Sequence, residues 1–192
     1  MLVAPLLARQ LGRFHERHPR IQLSIAAQGQ VVSLSRREAD VALRLLKPTD
    51  AGDVARRIGR MPFGLYAHRQ YLSQHASARW QFIAYEPHDD HMPQQQWLLA
   101  AAAGRPVVCA LNYISEHLIA ARASVGVAGL PCFLAEREPE LARIDERVAP
   151  FQRDVWIATH RDLRRTPAVR AVLDFVSSVI ADEPGLALTE RG

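Results

Sequence analysis

Charge gives way abruptly to an apolar run at residues 36–46, where Arg36-Arg37-Glu38-Ala39-Asp40 is followed by Val41-Ala42-Leu43-Arg44-Leu45-Leu46. The pattern predicts a helix end, a turn and a strand over Val41 to Leu46, closed by Pro48. Strict apolar/polar alternation is absent, so the strand is expected to be covered on both faces, as in a parallel sheet. Ligands of open α/β sheets bind beyond the carboxyl ends of the strands, which would place Leu45, Leu46, Lys47 and Pro48 at the rim of a cleft.

Before this stretch, Val3, Leu6, Leu7, Leu11, Phe14 and His18 recur at spacings of three and four, an amphipathic helix stopped by Pro19. Ile21, Leu23 and Ile25 alternate with polar residues as a strand, Gly29 marks a turn, and Val31 to Arg37 reads as a short helix. After it, Val54 to Tyr66 is extended, Arg69 to His75 helical, and Glu86 to Gln96 an exposed loop. Val107 to Leu111 and Val125 to Leu130 predict strands flanking a helix over Glu116 to Ala123, with Ser115 as its N-cap. Phe133 to Glu140 predicts a short helix and Val155 to Thr159 a strand. Thr166 and Pro167 open a final helix carrying Val169, Val172, Leu173, Val176 and Ile180, and the tail beyond Glu183 is expected to fray. Helices and strands alternate, and the helix-strand-helix-strand order occurs before residue 66 and again over 97–131. Two similar α/β lobes account for this, linked by extended segments near residues 63–68 and 155–160.

With 192 residues and 48% apolar composition, the chain can bury a sizeable core. The formal charge is +4, but the arginines are scattered along the sequence and not gathered in one run, which reads as compositional bias before a nucleic-acid footprint. No secretion signal or membrane-length apolar run is visible, so a cytoplasmic protein without membrane association is expected. Cys109 and Cys132 are expected to be reduced, packed thiols.

An ordered set of motifs resembles the effector-binding domain of LysR-type bacterial transcription regulators. It runs from Leu11-x-x-Phe14-x-x-x-His18-Pro19-x-Ile21 through Arg37-Glu38-Ala39-Asp40-Val41-Ala42-Leu43-Arg44, Ala55-Arg56-Arg57-Ile58-Gly59 and Tyr71-Leu72. It continues through Asn112, Ala120-Ala121-Arg122-Ala123-x-x-Gly126-Val127-Ala128-x-Leu130-Pro131 and Thr159-His160-Arg161-Asp162-Leu163-Arg164-Arg165-Thr166-Pro167. The resemblance implies a type 2 periplasmic-binding-protein-like fold, two α/β lobes joined by two crossover strands. Lobe I would comprise 1–66 and 161–192, its first strand abbreviated or missing before Leu11, and lobe II would comprise 67–160. It further implies a non-enzymatic sensor holding a small molecule between the lobes, without cofactor or metal, and pairing as a homodimer or tetramer. DNA would be reached only through a winged helix-turn-helix domain outside this chain. Effector-contacting positions map onto Gln28, Gly29, Gln30, Leu45, Leu46, Asn112, Tyr113, Ser115, Pro131 and Phe133. A helix starting near Ser115 would aim its positive end at the cleft, so a carboxylate effector is expected. The alternative is a solute-binding protein for uptake, which would share the fold.

The residues leave some roles open. Arg44, inside an apolar run, needs a carboxylate partner or contacts the effector. Asn112 and Ser115 serve either as caps or as ligand contacts. His88-Asp89-Asp90-His91 is the best metal candidate, set against an acidic loop without fixed geometry. No Walker A, Gly-x-Gly-x-x-Gly, His-Glu-x-x-His or Gly-x-Ser-x-Gly pattern occurs.

Overall fold

The computed structural model describes residues 4–26, 32–144 and 148–188. Its elements are α1 Ala4–Arg17, β1 Val41–Arg44, β2 Asp53–His68, α2 Arg69–Gln74, β3 Phe82–Ala84, α3 Pro93–Ala102, β4 Val107–Ala110, α4 Ile114–Arg122, β5 Val127–Pro131, α5 Cys132–Ala135, β6 Leu141–Ile144, β7 Phe151–His160 and α6 Pro167–Ala181. They form two compact units, Met1–Met61 with Arg153–Gly192, and Pro62–Gln152. The chain passes from one unit to the other within β2 and returns within β7.

In unit 1, α1 buries Leu6, Leu7 and Phe14, and the Phe14 ring meets Phe175 of α6 at 4.8 Å. Each such side chain contributes about 1.5–3 kcal/mol on burial, which the short helix needs because propensity alone leaves it marginal. Strand β1 pairs antiparallel with β7, Val41 opposite Thr159 and Arg44 opposite Trp156. The expected two-faced cover of this strand is not present: Ala42 is buried, whereas Val41, Leu43 and Arg44 are half-buried. The strand also ends at Arg44, and Leu45 and Leu46 bend away from the ladder.

Three other local expectations change. Residues 21–26 have no regular structure, because alternation supplies a face but not a partner, and no described strand lies beside them. Residues 34–37 form a turn and not a helix, with Arg37 in the left-handed region at φ 57°. The Glu38 carboxylate accepts from Ser33 N at 2.7 Å and Arg36 Nε at 3.0 Å, local bonds that compete with a helical ladder. Val31 and the predicted Gly29 turn lie outside the described residues. The tail does not fray at Glu183: Leu186 is fully buried, and its carbonyl accepts from Arg60 N at 2.8 Å.

In unit 2, β5 and β6 pair antiparallel with β2, while β3 lies parallel to both β4 and β5. Here β3 and β5 are covered on both faces, whereas β4 is largely exposed. Leu65, Ala67, Phe82, Ala84 and Val127 join Leu98 and Ala101 of α3, whereas Tyr66, Ile83 and Ala128 join Ala121 of α4 and Ala135 of α5. The period-two alternation of strand side chains thus feeds two helical layers. Gly126 admits the backbone of Gln81, whose carbonyl oxygen would stand 2.5 Å from an added Cβ. The predicted loop over Glu86 to Gln96 ends early: α3 starts at Pro93, and Gln95 is buried. The helix predicted for Phe133 to Glu140 shrinks to Cys132–Ala135, because Pro139 disfavours helical backbone at Glu138.

Candidate functional site

Parallel pairing brings the carboxyl ends of β3, β4 and β5 to one edge of unit 2, with Ala84 opposite Ala110. The segments leaving that edge are Tyr85, Leu111 to Tyr113, and Pro131 into α5. Leu111 N donates to Ala84 O at 2.9 Å, tying the first two together. The buried amide of Gln95 accepts from Tyr85 N at 3.0 Å and donates to Tyr85 O at 3.1 Å and Asp90 Oδ1 at 3.0 Å, which fixes the loop after β3.

His117, one turn into α4, lies fully buried beneath this edge. Its ring centroid is 4.4 Å from that of Tyr85, and its Nε2 is 3.0 Å from Leu111 O, where only a protonated nitrogen makes a bond. The Nδ1 atom is therefore the bare acceptor, and it has no partner among the described residues. Burial lowers the His117 pKa from its ordinary value, keeping the imidazole neutral. Burial likewise pushes the Tyr85 phenol up. Two buried rings, tilted against each other at 44°, thus pack beneath the exposed segment.

That segment holds three of the sequence-predicted residues. Asn112, Tyr113 and Ser115 are exposed. Tyr113 and not Ser115 is the N-cap of α4; Ser115 sits inside the first turn, which leaves its hydroxyl outside the capping role. The Glu116 carboxylate accepts from Tyr113 N at 3.1 Å, so an acidic group already stands at the positive end of the helix. Pro131 and Phe133 belong to the same edge but are buried, Phe133 at 3% exposure.

The remaining predicted positions lie in unit 1 or outside the described residues. Gln28, Gly29 and Gln30 are not described. Leu45 is half-buried, its carbonyl accepting from Arg153 Nη2 at 3.0 Å, and Leu46 is 65% exposed. Arg44 faces Asp53, Nη1 to Oδ2 at 3.9 Å, and donates from Nη2 to Val32 O at 2.6 Å, so the structure gives it the carboxylate that its burial required. Sequence reasoning missed His117, Tyr85, Gln95 and Arg153. Only Pro93, a preferred first helical residue, signalled that Gln95 belonged to a helix.

His88 pairs with Glu86 at 3.2 Å and Asp89 at 3.5 Å, His91 Nδ1 lies 3.1 Å from His88 O, and among the described residues no three metal-binding side chains converge. A polar recess of about 360 Å³ in unit 2 is lined by Tyr66, Arg69, Glu136, Glu138 and Arg143 and includes none of the predicted positions. Its charges compensate one another, Arg143 to Glu136 at 3.7 Å with Tyr66 Oη donating to Glu136 at 3.2 Å.

A family profile described as the LysR substrate binding domain matches residues 1–181. The chain belongs to that family. The LysR domain is a mixed α/β structure with the type 2 periplasmic-binding-like fold, as its solved neighbours show. The regulatory domain of CrgA, a LysR-type transcriptional regulator from Neisseria meningitidis, superposes with a TM-score of 0.75 at 22% identity, covering 92% of this chain and 93% of that one. The CcmR regulatory domain of Synechocystis, solved in complex with 2-PG, gives 0.71 at 16% identity, covering 94% of each. Among curated relatives, the HTH-type transcriptional regulator CrgA of Neisseria meningitidis is 34% identical over 76 residues, 40% of this chain and 25% of that protein. The Mau operon transcriptional activator of Paracoccus denitrificans is 23% identical over 164 residues, 85% of this chain and 56% of that protein. The LysR domain therefore spans at most about half the length of these relatives. They are transcription regulators, not solute-binding proteins, and the family is a regulator's domain, not an enzyme. No helix among the described residues is long and apolar enough to cross a membrane.

Proposed function

We propose that this domain is the effector sensor of a LysR-type transcription regulator, acting in the cytoplasm as a homodimer or tetramer and answering to a small anionic molecule. The two units serve as its lobes. The observation that supports the reading is the exposure of Asn112, Tyr113 and Ser115 at the start of α4, beside the buried His117–Tyr85 ring pair at the carboxyl edge of a parallel strand trio. Backbone N–H groups of the first helical turn and the side chains of Asn112 and Ser115 supply donors for a carboxylate or phosphate. The 2-PG held by the similarly folded Synechocystis domain is consistent with that class of ligand. Effector binding acts by differential affinity for alternative arrangements of the domain, and DNA-reading elements elsewhere in the protein register the shift.

The test is a thermal-shift screen of the domain against small carboxylates, amino acids, aromatic acids and 2-PG. A ligand present at about 100 times its dissociation constant adds about 2.7 kcal/mol and raises the melting point by several degrees. The shift is expected to vanish in Asn112→Ala or Ser115→Ala. A shift that survives both variants would place the effector elsewhere, and no shift with any anion would refute the reading.

A further inference from the structure

The polar recess of about 360 Å³ in unit 2 joins an apolar base to charges of both signs. Strand β6 pairs with β2 so that Arg143 stands opposite Tyr66, and directly opposite residues present their side chains on one face of the pair. The buried part of the lining is Tyr66, Ala135 and Leu141. Around it stand the carboxylates of Glu136 and Glu138 and the guanidinium groups of Arg69 and Arg143.

The state of each group decides what the recess can accept. The Tyr66 hydroxyl donates to Glu136 Oε1 at 3.2 Å, and burial pushes its phenol up, so it remains a donor. Arg143 Nη1 faces the same oxygen at 3.7 Å, beyond hydrogen-bond reach. The Arg143 and Glu136 side chains are 54% and 57% exposed, where such a pair stabilises little and is displaced at small cost. Glu138 is engaged by Arg122 Nε of α4 at 3.2 Å, so Glu136 is the carboxylate open to a ligand. Arg69 Nε donates to Pro139 O at 2.9 Å, which holds a second guanidinium at the recess. A simple anion would meet Glu136 and Glu138, and a simple cation would meet Arg69 and Arg143. A molecule carrying both charges a few ångströms apart exchanges the loose Arg143–Glu136 contact for two charge-assisted hydrogen bonds.

We propose that this recess binds a free aliphatic α-amino acid, its carboxylate on Arg143, its ammonium on Glu136 and its side chain against Ala135 and Leu141. The arginine fork suits the planar carboxylate, and the recess lies toward the small end of ligand-binding cavities, as a molecule of this size requires. The site is separate from the start of α4 and independent of the effector reading, which needs no ammonium group.

The experiment is an NMR titration of the isotope-labelled 192-residue chain with L-leucine, with isocaproate, which lacks the ammonium, and with isopentylamine, which lacks the carboxylate. L-leucine should bind with a Kd of about 1 mM or below and shift the backbone amides of Ala135, Leu141 and Arg143. Both analogues should bind at least about tenfold more weakly, as should L-leucine to Glu136→Gln and to Arg143→Gln. Tyr66→Phe should weaken L-leucine by about three- to tenfold through the lost hold on Glu136. Asn112→Ala should leave it unchanged. Glu136 and Arg143 are exposed, so their glutamine variants are expected to fold, and circular dichroism melts check this. The proposal is overturned if L-leucine causes no shift at about 10 mM, or if both analogues bind as tightly as L-leucine. It is also overturned if either glutamine variant keeps wild-type affinity, or if Asn112→Ala abolishes binding, which would move the amino acid to the start of α4.

Discussion

Removing the Asp53 carboxylate tests whether the buried pair with Arg44 is structural. Asp53 opens β2 and Arg44 closes β1; their side chains are 1% and 13% exposed, and the charges stand 3.9 Å apart. Both Asp53 oxygens and Arg44 Nε are buried without a hydrogen-bond partner among the described residues, so the ion pair is the main compensation for two desolvated charges. At an effective dielectric of about 20 their attraction is about 4 kcal/mol, offset in large part by desolvation. Asp53→Ala removes the attraction and leaves Arg44 buried with only Val32 O as acceptor, a loss of about 3–5 kcal/mol. For a chain of this size that lowers the melting point by roughly 6–20 °C. Urea unfolding of wild type, Asp53→Ala, and the double variant Arg44→Met/Asp53→Leu provides the assay, with an unchanged m-value required for comparison. The double variant should recover to within about 2 kcal/mol of wild type, because an apolar pair leaves no charge stranded. A single-variant loss below about 1 kcal/mol would refute the argument and show that water reaches the pair.

Three further outcomes follow from the geometry. His117 has its pKa lowered by burial from an ordinary value of 6.5, so the unfolded chain takes up a proton at a higher pH than the folded one. Its contribution to stability is complete above about pH 6.5 and is lost as the pH falls below it; melts at about pH 7.5 and about pH 5.5 should differ less in His117→Gln than in wild type. Leu186→Ala should cost about 2–5 kcal/mol in denaturant melts, whereas a frayed tail would show almost none. Glu116→Gln removes a negative charge from the start of α4 and should tighten any anionic effector found in the thermal-shift screen, provided the effector sits at that helix end; unchanged or weaker affinity would place it elsewhere.

Where the sequence reading succeeded, the information was local. The amphipathic spacing of Leu6, Leu7 and Phe14 made α1 visible, and Thr166-Pro167 with the apolar positions to Ile180 made α6 visible. The motif order from Leu11 to Pro167 pointed to the family because many weak local signals occurred in one sequence. Failures came where a partner decided the outcome. Ile21 to Ile25 has strand alternation without a ladder, and Val41 to Leu46 has a buried-strand composition yet lies half-open beside β7. The strands buried on both faces are β3 and β5, whose short runs carried no stronger signal than β1.

The chain by itself determined its elements' faces, most of the helix starts, and the family, since these depend on residues within a turn or two of each other or on their order. Tertiary packing decided the rest. It placed His117 under Tyr85, gave Arg44 its carboxylate in Asp53, and buried Leu186 against Arg60. It engaged arginines of α4 and β2 with carboxylates distant in the sequence. The physical reason is common to all: burial, desolvation and ion pairing depend on what stands a few ångströms away in space, and residues such as 85 and 117 or 45 and 153 become neighbours only when the sheet forms.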